Sequence, residues 1–155
     1  MELNWFREKG KCIIGAGGAI DVVNLPSLVV SIRTIVCNDV TVFLTEQASQ
    51  MVSRDAISAI TGRSTVTGFF DPTREAIDIF RTLDAASLVL VCPASANLIG
   101  KIAHGIADDV VTTAVLFSSC PVIIVPSIRI AGLEQTDCSE QHFGHKKFRL
   151  SCMGS

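Results

Sequence analysis

The chain has 155 residues, 48% of them apolar and only 18% charged, with a formal net charge of −2. That length suits one domain with a sizeable core, and so little charge suits a parallel sheet covered on both faces or surface buried between subunits. A basic excess is lacking, which argues against a nucleic-acid partner, and no apolar run reaches the roughly 18 residues of a membrane span.

The start, Met1-Glu2-Leu3-Asn4-Trp5, has no basic region followed by an apolar core. No signal peptide is expected, and the cytoplasm is the default location. Residues 11–14 read as a short strand opening into Gly15-Ala16-Gly17-Gly18-Ala19. This cluster follows a strand, as a nucleotide-binding loop does, but it is not a full G-x-G-x-x-G and also suits a tight turn. An apolar segment over 26–35 follows, with Pro26 in a first helical turn. Residues 40–44 form a β-branched strand, and Thr45 starts a helix that runs to about residue 60. A short strand is expected over 66–70 and an amphipathic helix over 73–83, carried by Ile77, Phe80 and Leu83.

The strand at 88–92 runs into Pro93-Ala94-Ser95-Ala96-Asn97, with Asn97 as the expected cap of a helix over 98–103 closed by Gly105. Small residues there let a planar ligand lie close to the backbone, and a helix N-terminus offers free N–H groups to anions or polar ring edges. A helix over 110–117 and a strand over 122–125 complete the βα alternation. The fold class that follows is α/β, a Rossmann-like three-layer sandwich around a parallel sheet, flavodoxin-like in type. Residues 1–130 form the binding domain, and 131–155 are a polar tail, or a strand leading into a substrate-covering flap. Cys12, Cys37, Cys92 and Cys120 lie in or beside apolar strands and read as reduced, buried thiols. Cys138 and Cys152 are left open. Without a C-x-x-C pair, neither a zinc site nor a thioredoxin motif is signalled, and no metal is expected.

The run from Pro93 to Asp109 resembles the P-A-S/T-A-N motif of the homo-oligomeric flavin-containing cysteine decarboxylases, and the match continues in register to Pro126. This family of FMN enzymes includes the epidermin-type peptidyl-cysteine decarboxylases and phosphopantothenoylcysteine decarboxylase. Gly18-Ala19-Ile20 resembles the family's G-S-I-A loop with alanine for serine, and Thr45-Glu46-Gln47-Ala48 resembles its T-x-x-A. Thr45 caps its helix, donates to a flavin phosphate, or does both. The resemblance implies FMN as cofactor, held by Gly18, Ala19, Ile20, Thr45, Ala48, Pro93, Ala94, Ser95, Ala96, Asn97 and Asp108. Asp108 reads otherwise as a helix cap or a subunit contact. His104 reads as a helix-surface histidine.

Typical members carry a histidine fourteen residues before the motif's proline. Here that position is Ile79, or Ala76 with a short insertion, and neither ionises. Asp78 is then the substitute proton acceptor, or a member of a solvated helix face. Arg129 stands where the family's P-x-M-N has its asparagine, and it either grips a peptide carboxylate bidentately or lies on the surface. Residues 148–154 resemble the family's clamp strand, and Cys152 falls close to the reductive cysteine of the phosphopantothenoylcysteine enzymes. The second half of that clamp is not found.

The implied activity is oxidative decarboxylation of a C-terminal cysteine in a ribosomally made precursor peptide. It gives an enethiol for an aminovinyl-cysteine ring, as in lantibiotic or linaridin biosynthesis. The implied assembly is a homo-oligomer, a trimer or dodecamer. The alternatives are phosphopantothenoylcysteine decarboxylase of coenzyme A biosynthesis and a non-catalytic flavin-binding regulatory subunit. A flavin prenyltransferase would share the fold, but it needs basic residues for a prenyl phosphate that are not found.

Overall fold

A computed structural model of the chain describes residues 2–69, 79–127, 141–143 and 146–150. The elements in order are α1 (Glu2–Lys9), β1 (Lys11–Ala16), a 3-10 turn (Ile20–Asn24), α2 (Leu25–Ile35), β2 (Asp39–Leu44), α3 (Glu46–Met51), α4 (Arg54–Thr61), α5 (Ile79–Asp84), β3 (Leu88–Ala94), α6 (Ala96–Ala103), α7 (Val110–Phe117), β4 (Val122–Pro126), β5 (Gln141–Phe143) and β6 (Lys146–Leu150). The strand order is β2-β1-β3-β4-β6-β5. β1 to β4 pair in parallel, β6 joins β4 in parallel, and β5 runs antiparallel to β6. This is the α/β, flavodoxin-like sheet that the alternation predicts.

Two apolar layers hold the sheet. One joins Ile13, Phe43, Val89 and Val91 to Leu83, Ile102, Val111 and Val115. The other joins Cys12, Ile14, Val40 and Val42 to Leu25, Val29 and Ile57. α7 is buried from Val110 to Val115 and carries no charged residue, and its two threonines, Thr112 and Thr113, are buried with the rest. Gly15 makes that packing possible, because a Cβ there would meet Val111 Cγ1 at 2.7 Å. Toward the β4 side of the sheet, Leu90 and Cys92 are only half-buried and Ile123 is exposed.

Several boundaries differ from those predicted. The helix expected from Thr45 to about residue 60 is two helices. Val52 is extended, and the Ser53 hydroxyl accepts from Ala56 N to start α4. Of the strand expected over 66–70, a single parallel bridge between Phe43 and Val66 is observed. The expected helix over 73–83 is described only from Ile79 onward. β3 does not stop before its proline. It continues through a cis Cys92–Pro93 bond to Ala94, which pairs with Pro126 across a register shift. Cys12 and Cys37 are buried, Cys92 and Cys120 half-buried, and all four are free thiols as expected. No helix among the described residues is long and apolar enough to cross a membrane.

Candidate functional site

In a sheet of this order the chain reverses direction between β1 and β3, so the crevice beyond their C-terminal ends is where ligands bind. The backbone stitches that edge together. Gly17 N donates to Pro93 O at 2.8 Å, Thr45 N to Ala16 O at 3.1 Å, and Ser127 N to Ala94 O at 2.9 Å. Loops that are far apart in the chain thus close on one another. The Ser127 hydroxyl also donates to Asp21, which ties the end of β4 to the turn after β1.

A cavity of about 250 Å³ opens between them, lined by Gly18, Thr45, Gln47, Ser95, Asn97, Leu98, Lys101 and Asp109. The glycines beside it are close-approach positions. A Cβ on Gly17 would sit 3.2 Å from Pro93 O and 3.3 Å from Ser95 N, and one on Gly18 would sit 2.5 Å from Gln47 Cβ. Thr45 and Ser95 are both helix caps. Ala48 N donates to Thr45 Oγ1 at 3.2 Å, and Leu98 N donates to Ser95 Oγ at 3.3 Å. Ser95, rather than Asn97, therefore caps α6. β3 ends at Ala94 and α6 begins at Ala96, which shortens the connection to Ser95 and places Asn97 in the first turn. The Asn97 and Gln47 side chains line the cavity, and neither amide makes a hydrogen bond to another described residue. Gly105 closes α6 as expected, at φ 68.

Asp109, not Asp108, caps α7. One of its carboxylate oxygens accepts from Val111 N and Thr112 N, each at 2.9 Å, and Thr112 Oγ1 accepts from Asp109 N in return. Asp108 instead accepts two bonds from Lys101 Nζ, at 2.8 and 2.9 Å. His104 lies at the end of α6 with its ring against Gly100 O at 2.8 Å, a helix-surface histidine as read from the sequence.

Of the predicted contact residues, Gly18, Thr45, Ser95 and Asn97 line the cavity. Pro93 and Ala94 are buried and act through their carbonyls, and Ala48 lies buried beneath Thr45. Ala19 is buried beside Gly18, whereas Ile20 is 73% exposed and points away from the core. Ala96 is exposed at the start of α6, and Asp108 meets the cavity wall only through Lys101. Asp78 and Arg129 lie outside the described residues. Ile79, at the position of the family's histidine, is 6% exposed and packed in the core. Gln47, Leu98, Lys101 and Asp109 were not anticipated. Lys101 and Asp109 do fall within the motif-bearing run, and a one-turn spacing from Asn97 would have put Lys101 on the same helix face.

Among the described residues, burial pushes the Cys92 thiol up, with the Asp21 carboxylate adding to the effect, so it is no ready nucleophile at neutral pH. The Asp108 carboxylate beside Lys101 keeps that ammonium protonated, with Asp109 assisting. No group of three metal-ligating side chains is found among the described residues.

Small residues, capping hydroxyls and side-chain amides at the switch point of a parallel sheet define an α/β domain built to hold a nucleotide-like ligand. A family model narrows this further. The chain belongs to the Flavoprotein family, whose model matches residues 4–136. It is 30% identical to the FMN-dependent cysteine decarboxylase SpaF, with a TM-score of 0.71 over 79% of this chain and 71% of that one. It is 26% identical to TvaF, an FMN-dependent cysteine decarboxylase from thioviridamide biosynthesis, with a TM-score of 0.74 over 81% and 77% of the two chains. The coenzyme A biosynthesis bifunctional protein CoaBC of Bacillus subtilis is 38% identical over 93 residues, 59% of this chain and 23% of that protein. The chain thus spans about a quarter of the length of the curated relatives it matches.

Proposed function

We propose that the chain binds FMN in this cavity and oxidatively decarboxylates the C-terminal cysteine of a ribosomally made peptide. The observation that carries the reading is the folding of residues 93–101 around the cavity, with the Ser95 hydroxyl and the Asn97 amide at its wall. The donor set fits a flavin nucleotide. Gly17 and Gly18 let the loops beside the cavity close on Pro93, Ser95 and Gln47, the Gln47 and Asn97 amides match a flavin's polar edge, and Thr45 and Lys101 supply a hydroxyl and a cation for a phosphate. Likeness to SpaF and TvaF supports the decarboxylase class.

In this reading Gly18 and Thr45 line the β1–α3 side of the site, with Ala19, Ile20 and Ala48 as their neighbours, and Ser95 and Asn97 line the facing side, with Pro93, Ala94 and Ala96 behind or beside them. Asp108 acts through Lys101. Bound FMN would supply the two-electron oxidation that the loss of CO2 to an enethiol requires. The chain's own residues bind, orient and handle protons. Asp78 takes the substrate proton that the family's histidine would take, and Arg129 pairs with a carboxylate of the peptide. The enzyme works as a homo-oligomer, supported by Ile20, Val23 and Ile123, which stand exposed in the monomer.

Two specific observations favour other readings. The CoaBC relatives favour a phosphopantothenoylcysteine decarboxylase. The buried Ile79 at the histidine position favours a flavin-binding regulatory subunit. Purified protein separates the three. Flavin absorbance is expected, together with a loss of about 46 Da (CO2 and two hydrogens) from cysteine-ending peptides in mass spectrometry. A loss of about 44 Da (CO2 alone, with the two hydrogens returned to the product) from phosphopantothenoylcysteine, and none from peptides, would move the assignment to the coenzyme A pathway. Bound flavin with neither loss would support the regulatory subunit, and colourless protein that refuses FMN would end all three.

A further inference from the structure

Resting on the reading that a flavin nucleotide occupies the cavity, we infer that Lys101 recognises the nucleotide's phosphate, exchanging Asp108 for it when the ligand binds. Among the described lining residues Lys101 is the one cation and Asp109 the one anion. The two carboxylates that hold Lys101 are not equivalent. Asp109 spends one oxygen on Val111 N and Thr112 N as the cap of α7, and its other oxygen stands 3.7 Å from Lys101 Nζ. That residue cannot leave without uncapping a buried helix. Asp108 has its side chain 53% exposed, and Lys101 is its sole partner among the described residues. It can release the lysine to water at little cost, because exposed ion pairs contribute little.

The base of the lysine is fixed while its head is not. Lys101 O accepts from His104 N at 3.1 Å and Ile106 N at 3.0 Å, through the left-handed turn at Gly105. Only the flexible stem has to swing. A partly enclosed phosphate offers the ammonium a stronger, charge-assisted partner than the exposed carboxylate does. Were the cation absent, Asp108 and Asp109 would face a phosphate dianion with like charge, which weakens its binding. The same ammonium stays protonated throughout the neutral range, since its carboxylate neighbours favour the charged form.

The inference is tested by titrating the full chain with FMN and with riboflavin, following flavin fluorescence, in wild type, K101M, K101R and D108N. Wild type should prefer FMN. K101M should lose at least about tenfold in FMN affinity while riboflavin changes by less than about twofold, as expected for a charge-assisted contact to phosphate alone. K101R should keep the preference, and D108N, with its lysine already released, should bind FMN at least as tightly as wild type. Equal losses for both flavins in K101M would overturn the inference, leaving Lys101 as a structural bolt between α6 and α7. A D108N protein that loses about tenfold or more in FMN affinity relative to wild type would also overturn it, and this arm stands even if K101M fails to fold. Failure of wild type to bind either flavin would instead remove the underlying reading of the cavity.

Discussion

The contact between Gly15 and Val111 offers a quantitative test of how the sheet and its buried helix are matched. In Gly15→Ala the new Cβ would sit 2.7 Å from Val111 Cγ1, with Val111 Cβ and Cγ2 at 3.6 and 3.7 Å. Ordinary carbon–carbon contact needs about 1 Å more. The neighbour is a β-branched side chain, stiff at its first torsion and 0% exposed, so the strain must go into the backbone of β1 or α7. Overpacking of this kind costs about 1–3 kcal/mol. Val111→Ala alone removes two buried methyl groups and should cost about 2–3 kcal/mol, combining lost transfer energy with a residual cavity. The double variant should not cost the sum. The methyl group introduced at position 15 enters the space that Val111 vacates, so the clash vanishes and part of the cavity is filled. A coupling of at least about 1 kcal/mol is expected, with the double variant close to V111A alone. Urea unfolding of the four proteins, compared at equal slope, measures it. Additivity within about 0.5 kcal/mol would refute the claim that this glycine is required by α7 rather than by the turn after it.

Two further outcomes follow from local features. Burial pushes the Cys12 thiol from its ordinary 9.0 up to about 12, with the nearby Cys37 and Cys120 thiols adding to the shift. The folded protein then keeps a proton that the unfolded chain loses. This contribution is whole below pH 9 and drains by about 1.4 kcal/mol per pH unit as pH rises toward 12. C12A should flatten the fall of stability with alkaline pH, and an unchanged slope would show that another group controls it. The capping box of α7 makes Asp109→Ala cost about 1–2 kcal/mol, whereas Asp109→Asn, an equally good cap, should stay within about 0.5 kcal/mol of wild type. Thermal melts separate the two variants, since about 1 kcal/mol moves the midpoint of a domain this size by roughly 2–4 °C.

Much of the site was legible because its signals are local. The apolar run into Pro93, the small residues after it and the glycines after β1 all announce backbone that approaches something closely. Asn97 was read as the cap of α6, but Ser95 holds that place, because which residue caps the helix depends on where β3 ends. That is decided by Ala94 pairing with Pro126, a residue from the far side of two helices. Asp108 and Asp109 posed the same choice, and it was settled by which carboxylate reaches the N–H groups of α7.

Strand and helix identities, the α/β class and the resemblance carried by residues 93–109 follow from the chain's own order of residues. They reflect short-range sterics, periodic burial and capping chemistry, all of which act within a few positions. The convergence of Gly18, Gln47, Ser95, Lys101 and Asp109 on one cavity belongs to the tertiary structure alone. The sheet order brings the ends of β1, β2 and β3 side by side, and no local pattern encodes which distant loops become neighbours. The same holds for Ile79, which reads as one more helical apolar residue until packing shows that the core claims its side chain.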